Sequence, residues 1–266
     1  MNRRRLWAII RKDLKEVLGT GQIVLPMIIV PLVFVIFLPS VVILSSGSLV
    51  KDPDTAQMID NMPRFLTEQL SGFSEQQMIA YFMLVFIFSS FFLIIPIMVS
   101  TLIAANSFAG EKERKTLEGL LYTPVTDMEL VVGKILTAWM PSLAVSWLCF
   151  VIYAVVVNVL GYRLFEGVFF PTANWFALML VLVPAVAFAS IALVVMISSK
   201  VRGFQEANQI AGALVLPLVL MTVGQFTGVV VFSTIIVIIT GAAFAVADVI
   251  LLLFILSVFH RDRLLT

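Results

Sequence analysis

Residues 106–134, NSFAGEKERKTLEGLLYTPVTDMELVVGK, lie between two long apolar runs and decide how the chain is arranged. The six charged residues within 111–118 are the densest charge in the sequence. Leucines at 117, 120 and 121 have the spacing of one helical face. Pro124 is expected to end this helix, because proline has no N–H group and disfavours helix at the preceding residue. The pattern predicts a short amphipathic helix at a membrane surface over 109–122, although a solvated connector has a similar composition.

Composition sets the class of protein. Hydrophobic residues make up 61% of the chain and charged residues 12%, whereas soluble domains are about half apolar and a quarter charged. We therefore expect one integral membrane domain over 1–266. The single cysteine, Cys149, excludes an intrachain disulfide, and the single histidine, His260, argues against a histidine-based zinc site. No metal site is predicted.

The apolar runs predict an all-α protein with six spans, because about twenty residues cross a bilayer as a helix. These runs are 22–45, 79–105, 134–160, 174–199, 209–223 and 233–258. Polar residues between Gly224 and Gly228 break the last long run. They predict a re-entrant outer loop over 224–232, which membrane proteins tolerate against protein or water.

The N-terminal residues 1–21 are basic and amphipathic. Six Lys and Arg residues flank an apolar stripe of Leu6, Ile10 and Leu14, with Trp7 beside it. This composition is typical of a helix that lies in the headgroup region. A cleaved signal peptide is the competing interpretation. It fits less well because charges continue to Glu16 and the next apolar run is long enough to span.

The distribution of basic residues predicts the orientation. Fourteen of the seventeen Lys and Arg residues fall in the N-terminus, the 106–134 stretch, the 200–208 turn and the C-terminus. The positive-inside rule places these four segments on the cytoplasmic side. Both termini and a coupling segment over 106–133 are therefore expected in the cytoplasm.

Three polar residues in the apolar runs are candidate pathway residues. Asp248 lies deep in the sixth predicted span, where a charge is costly and often functional. Asn158 and Gln225 lie toward the outer ends of spans, where bonds between helices explain them equally well. Asp248 also supports an alternative function, a secondary transporter driven by an ion gradient. We disfavour it because the halves 1–133 and 134–266 show no matching repeat.

Catalytic motifs are absent from the sequence. It contains no G-x-x-x-x-G-K-[ST], no H-E-x-x-H and no G-x-S-x-G. We therefore expect neither enzymatic activity nor a cofactor in this chain, and a membrane-embedded enzyme has no motif to support it. If ATP drives this protein, another chain hydrolyses it.

The order of residues in the central stretch adds a resemblance. A Glu-x-Glu-x-x-Thr-Leu-Glu-x-Leu-Leu-x-x-Pro pattern, followed by Gly-Lys, is similar to that of the permease subunits of type-two ABC exporters, which have the type V fold. The matching positions are Glu111, Glu113, Thr116, Leu117, Glu118, Leu120, Leu121, Pro124, Gly133 and Lys134. The arrangement of spans extends the resemblance over the whole chain.

The resemblance implies a role for each segment. Residues 1–21 would be the interfacial elbow helix, and 109–122 the coupling helix that docks on an ATPase. The expected partners are two ABC ATPase subunits, which bind ATP and Mg, a second permease copy or a close homologue, and the bilayer, but no nucleic acid. The expected location is a prokaryotic cell membrane. The resemblance does not identify the transported substrate.

Overall fold

The computed structural model of the chain describes residues 3–50, 64–114, 126–198, 200–201, 203–226 and 233–258. Every regular element within these ranges is helical. Six of the helices are long and apolar enough to cross a membrane. This confirms the predicted all-α, multi-pass membrane protein.

Eight helices follow one another along the described residues. They are α1 Arg3–Gly19, α2 Gly21–Leu49, α3 Arg64–Gln69, α4 Glu75–Glu113, α5 Asp127–Phe165, α6 Ala173–Ser198, α7 Phe204–Gly212 continuing as Val215–Phe226, and α8 Thr234–Val258. Several helices contain a short π-helical stretch: Val33–Phe37 in α2, Phe82–Ile87 and Asn106–Gly110 in α4, and Leu178–Leu182 in α6. The candidate spans are α2 and α4–α8.

Local side-chain signals begin and end the long helices. A capping box starts α5, in which Thr126 and Glu129 each accept a hydrogen bond from the other's backbone N–H at 3.2 Å. A second capping box, between Ser74 and Gln77, starts α4. Helix α5 ends where Glu166 takes a left-handed conformation with φ 55°, which reverses the chain toward α6.

Helices α4 and α6 form the centre of the bundle. More than half of the residues in their most apolar segments are buried, compared with less than a third in α2, α5, α7 and α8. Helix α4 packs against α5 and α6, α6 also packs against α8, and α1 lies along α5. The two central helices are therefore held on several sides, and the outer ones keep broad apolar faces open.

Aromatic residues satisfy the backbone of the first π-helical stretch of α4. The Tyr153 hydroxyl donates to the Leu84 carbonyl at 2.7 Å, and the Trp175 indole N–H donates to the Val85 carbonyl at 2.9 Å. The two rings stack with centroids 4.9 Å apart. An unpaired carbonyl inside a membrane costs several kcal/mol. These bonds let the irregular turn persist in the bundle core.

The helix ends differ from the predicted span limits. Helix α4 continues to Glu113 instead of ending at 105, α5 begins at Asp127 instead of 134, and α7 begins at Phe204 instead of 209. The start of the predicted coupling helix, 109–113, is thus the end of α4, and Ala109 is fully buried. At the end of α4, Glu111 bonds to α5 and α1 and Glu113 bonds to α7, so the helix can continue through these charged residues.

Two predicted segments fall largely outside the described residues. Of the predicted re-entrant loop 224–232, the structure describes only the part up to Phe226, which continues α7. Of the predicted coupling helix, residues 115–122 also lie outside. Their conformation stays a prediction from the sequence.

Candidate functional site

Six charged side chains meet where α1, α4 and α5 converge, and we call this set the charged junction. It consists of Lys12, Asp13 and Glu16 from α1, Glu111 and Arg114 at the end of α4, and Lys134 from α5. The set contains three acidic and three basic groups, so its formal charges cancel. It connects the N-terminal helix α1 to the end of α4 and the start of α5, which are about 100 residues later in the sequence.

Glu111 lies at the centre of the charged junction and is 1% exposed. Its Oε2 accepts a hydrogen bond from the Lys134 Nζ at 2.5 Å, and its Oε1 accepts one from the Lys12 Nζ. One carboxylate therefore binds an ammonium group from α5 and another from α1. Such charge-assisted bonds are stronger than neutral ones.

Lys134 is equally buried, at 1% exposure. Besides Glu111, its ammonium group donates to the Ser107 backbone carbonyl and lies 5.4 Å from the centroid of the Phe108 ring. It also lies 3.7 Å from Asp13 Oδ2. Lys134 thus joins α5 to two consecutive turns of α4 and to α1.

Asp13 is the least satisfied member of the charged junction. It is 2% exposed, and neither of its oxygens accepts a hydrogen bond from the described residues. Burial raises the pKa of Asp13 above its ordinary value, and attraction to Lys134 and Lys12 offsets this only in part. Burial lowers the pKa of Lys12, but the hydrogen bond and charge of Glu111 outweigh this effect and raise it.

Three carboxylates of the charged junction are close enough to share a metal ion. Asp13, Glu16 and Glu111 each offer an oxygen, and these oxygens lie within 4.8 Å of one another. However, the Lys12 ammonium lies within 4.0 Å of all three carboxylates, and the Lys134 ammonium lies within 3.7 Å of those of Asp13 and Glu111. We therefore interpret the group as an ion-pair network and assign no metal to it.

Further contacts extend the network on the α4 side. Arg114 pairs with Glu16 and also donates to the Asn106 side-chain oxygen at 2.9 Å. Glu113 Oε2 accepts a hydrogen bond from the Phe204 backbone N–H at 3.0 Å and so caps the first turn of α7. Gly203 leaves room for this carboxylate, because a Cβ there would overlap it.

The α5 side is also bound to α1. Arg5 lies 3.7 Å from Glu129, the residue that completes the capping box at the start of α5. One turn later, Gly133 lets the two helices come close, since a Cβ there would lie 3.1 Å from Ile9 Cγ2. Segment 115–125 therefore lies between two helix ends that both contact α1.

The structure brings together only some of the predicted coupling residues. Glu111 and Glu113 bind neighbouring helices, and Gly133 and Lys134 belong to the same region of α5. The remaining predicted coupling residues lie outside the described residues: Thr116, Leu117, Glu118, Leu120, Leu121 and Pro124.

The sequence analysis missed the α1 members of the charged junction. A signal for one of them was present, since Asp13 lies four residues after Ile9 and four before Val17, on the apolar stripe of α1. Ile9, Asp13 and Val17 are all buried. A lone carboxylate on such a stripe predicts a cationic partner from another element.

The three candidate pathway residues have different surroundings. The Asn158 side chain bonds the backbone N–H of Phe169 and Phe170, both at 3.2 Å, and the Phe170 carbonyl at 2.7 Å, so it fixes the connection from α5 to α6. Gln225 is buried, and its amide atoms have no partner among the described residues. Asp248 lines a cleft between α5, α6 and α8.

Comparison with known proteins identifies a family. The family described as ABC-2 family transporter protein matches residues 7–260, which is nearly the whole chain. No curated protein and no solved structure matches it significantly. The match covers α1 from Trp7 onward, the charged junction and all six candidate spans. The chain therefore belongs to the ABC-2 transporter family and is the membrane-spanning permease component of an ABC transporter.

Proposed function

We propose that this permease is part of an ATP-driven exporter and forms the substrate pathway as a dimer. Two separate ATPase subunits would bind ATP and Mg and dock on the 109–122 segment. Family membership supports the transporter class. The observation that carries the coupling proposal is the charged junction, which ties the end of α4 and Lys134 of α5 to α1, together with the Arg5–Glu129 pair at the start of α5.

The geometry supports transmission of a movement from this segment to the bundle. Glu111 and Lys134 join the end of α4 to α5 through a buried pair, and Lys12 adds α1 to it. Glu113 extends the connection to the first turn of α7. A push on 115–125 would therefore move several helix ends together. The ATPase would bias a two-state packing of the spans by binding one state more tightly.

Docking itself would rest on the leucine face of the predicted helix. Leu117, Leu120 and Leu121 would enter a groove on the ATPase, as amphipathic helices do in partner clefts. Truncating one buried leucine costs about 2–5 kcal/mol, and each 1.4 kcal/mol weakens binding about tenfold. Replacing all three by alanine should release the ATPase.

Pull-down of the ATPase and substrate-stimulated ATP turnover test this proposal together. The triple alanine variant should lose both, while insertion and dimerisation of the permease persist. The matched variant Glu113→Gln should keep the ATPase bound but uncouple hydrolysis from transport, because it weakens the link to α7 and not the leucine face. Unchanged docking and turnover in the triple variant would show that 109–122 is an ordinary connector.

The proposed orientation places both termini and the charged junction in the cytoplasm of a prokaryotic cell. Single cysteines at Ser74 and Gly167, introduced after Cys149→Ala, should react with an impermeant reagent added to intact cells. Single cysteines at Thr123 and Gly203 should react only after the cells are opened. Labelling of Thr123→Cys in intact cells would reverse the assignment.

In the exporter permeases that the chain resembles, the first and fifth spans form the dimer interface, so we infer that α2 and α7 face the second permease copy. Large apolar side chains such as Phe37, Leu44, Leu216 and Leu220 are more than half exposed on these two helices. The bilayer can cover such faces, so exposure alone does not select a dimer. Disulfide cross-linking of Leu220→Cys between copies, compared with Leu148→Cys on α5, would test whether α7 lies at the interface.

A further inference from the structure

A cleft of about 400 Å³ opens between α5, α6 and α8. Its walls are apolar and include Pro184 and Phe188 from α6 and Leu252 from α8. Leu180 and Val249 also line the cleft, and they are 64% and 59% exposed. The cleft is therefore open to the surface of the bundle. In a membrane this surface meets lipid, because all three helices are candidate spans.

Asp248 is the charged residue among those that line the cleft. It is 8% exposed, and its Oδ1 is buried with no hydrogen-bond partner among the described residues. An unpaired carboxylate inside a span is costly. A hydrogen bond to a neighbouring helix would explain a buried carboxylate structurally, but Oδ1 makes none with the described residues. The cleft therefore lacks a partner for this oxygen.

Trp139 brings an aromatic ring to the same cleft. Its indole N–H donates to the Pro184 carbonyl at 3.0 Å, which fixes the ring between α5 and α6. Phe188 is a second aromatic lining residue. Cations bind favourably over such rings, most strongly over tryptophan and when water is excluded. The cleft thus combines one negative charge with aromatic and aliphatic walls.

These features favour one class of ligand. A dehydrated metal ion needs several oxygen ligands, as Ca²⁺ and Mg²⁺ do. Asp248 provides the only side-chain oxygens among the lining residues, and the Pro184 carbonyl already accepts the Trp139 N–H. A cation that carries its own apolar groups needs just one counter-charge and an apolar wall.

We propose that the α5–α6–α8 cleft is a binding site for a lipophilic monovalent cation that enters from the bilayer, with the Asp248 carboxylate as its counter-ion. The cleft volume lies in the range of about 300–1,000 Å³ that is common for small-molecule sites. The proposal does not depend on how the exporter is driven, because it concerns binding to the permease alone.

Equilibrium dialysis with tetraphenylphosphonium tests the proposal. The full chain is reconstituted into nanodiscs of zwitterionic lipid, and uptake by empty nanodiscs is subtracted. We expect saturable binding of one cation per chain, and at least tenfold weaker binding for Asp248→Asn. Tetraphenylborate has nearly the same shape and the opposite charge, so it should show no saturable binding.

Two further variants make the result specific to the cleft. Val249→Trp should fill the mouth of the cleft and abolish binding while the carboxylate is retained. Thr240→Val changes a polar residue of α8 that lines a different cleft and should bind as the wild type does. If Asp248→Asn does not fold, the binding measured for Val249→Trp tests the proposal by itself.

Several outcomes would overturn the proposal. Equal affinity of the wild type and Asp248→Asn would show that the carboxylate is not the counter-ion, and full binding by Val249→Trp would place the site elsewhere. Equal binding of tetraphenylborate would indicate plain hydrophobic uptake. No saturable binding to the wild type would mean that a proton or a second copy of the chain occupies the cleft.

Discussion

Replacing Glu111 by glutamine tests the charged junction directly. The change keeps the size of the side chain but removes the negative charge between two ammonium groups. Lys134 would stay buried at 1% exposure, with Asp13 Oδ2 at 3.7 Å as the closest remaining carboxylate. Removing one partner of a buried ion pair destabilises a protein by about 3–5 kcal/mol, because the other charge is left uncompensated.

This loss is large enough to measure by thermal unfolding of the purified chain in detergent. For chains of 150–250 residues, 1 kcal/mol shifts the midpoint by roughly 2–4 °C, so the expected decrease is roughly 6–20 °C. Glu16→Gln is the matched control, because the Arg114–Glu16 pair is partly exposed, at 44% and 28% for the two side chains, and the change leaves the bond from Arg114 to Asn106 in place. Exposed pairs contribute only about 0–1 kcal/mol.

A double variant separates the buried charge from the general effect of mutation. Glu111→Gln combined with Lys134→Met removes both members of the pair and leaves an apolar side chain of similar length. Replacing a buried pair by apolar groups is often neutral or stabilising by about 1–4 kcal/mol. The double variant should therefore be more stable than Glu111→Gln alone. Our reasoning fails if Glu111→Gln unfolds at the same midpoint temperature as the Glu16→Gln control, or if the double variant is the least stable.

Three other changes test separate parts of the structure. Asp13→Asn should stabilise the fold at neutral pH, because burial raises the folded-state pKa of Asp13 and so disfavours its ionised form. This gain should shrink as the pH falls through that pKa and vanish below the unfolded value of about 3.9 in denaturation measured across pH. Gly203→Ala should displace Glu113 from the Phe204 N–H. This should reduce the free energy of unfolding by about 0.5–2 kcal/mol, as the loss of a helix cap does. Gly212→Ala is the control for thermal stability, because a Cβ there meets no atom within 4 Å. Asn158→Ala should leave buried backbone groups unpaired at about 1–3 kcal/mol in the same assay, without changing ATPase docking.

The apolar runs were sufficient to predict the number and order of the spans. Twenty or more apolar residues admit few structures in a bilayer, since only a helix satisfies its own backbone there. The helix ends were harder to predict. Glu111 and Lys134 have the composition of a loop, but they bond across α4, α5 and α1. No local pattern shows that a polar residue will meet its partner from another helix.

The candidate site was predictable where its residues form a local motif. The family pattern includes Glu111, Glu113 and Lys134, but it does not include their partners on α1 and α7. In the structure, Glu111 pairs with Lys12 and Lys134, which are 99 and 23 residues away in sequence. Only the three-dimensional packing of α1 along α5 brings these partners together, so sequence spacing could not identify them.

The position of α1 accounts for both its amphipathic sequence and its partners. Its apolar stripe, including Ile9 and Val17, packs inward, and Trp7 on another side is 62% exposed. Asp13 lies within that stripe and faces Lys134, so the surface that buries α1 also buries part of the charged junction. Shifting α1 away from α5 would therefore expose apolar surface and separate ion pairs in the same step. Coupled losses of this kind favour two discrete arrangements over gradual sliding, which is the behaviour that the proposed ATP-driven exporter needs.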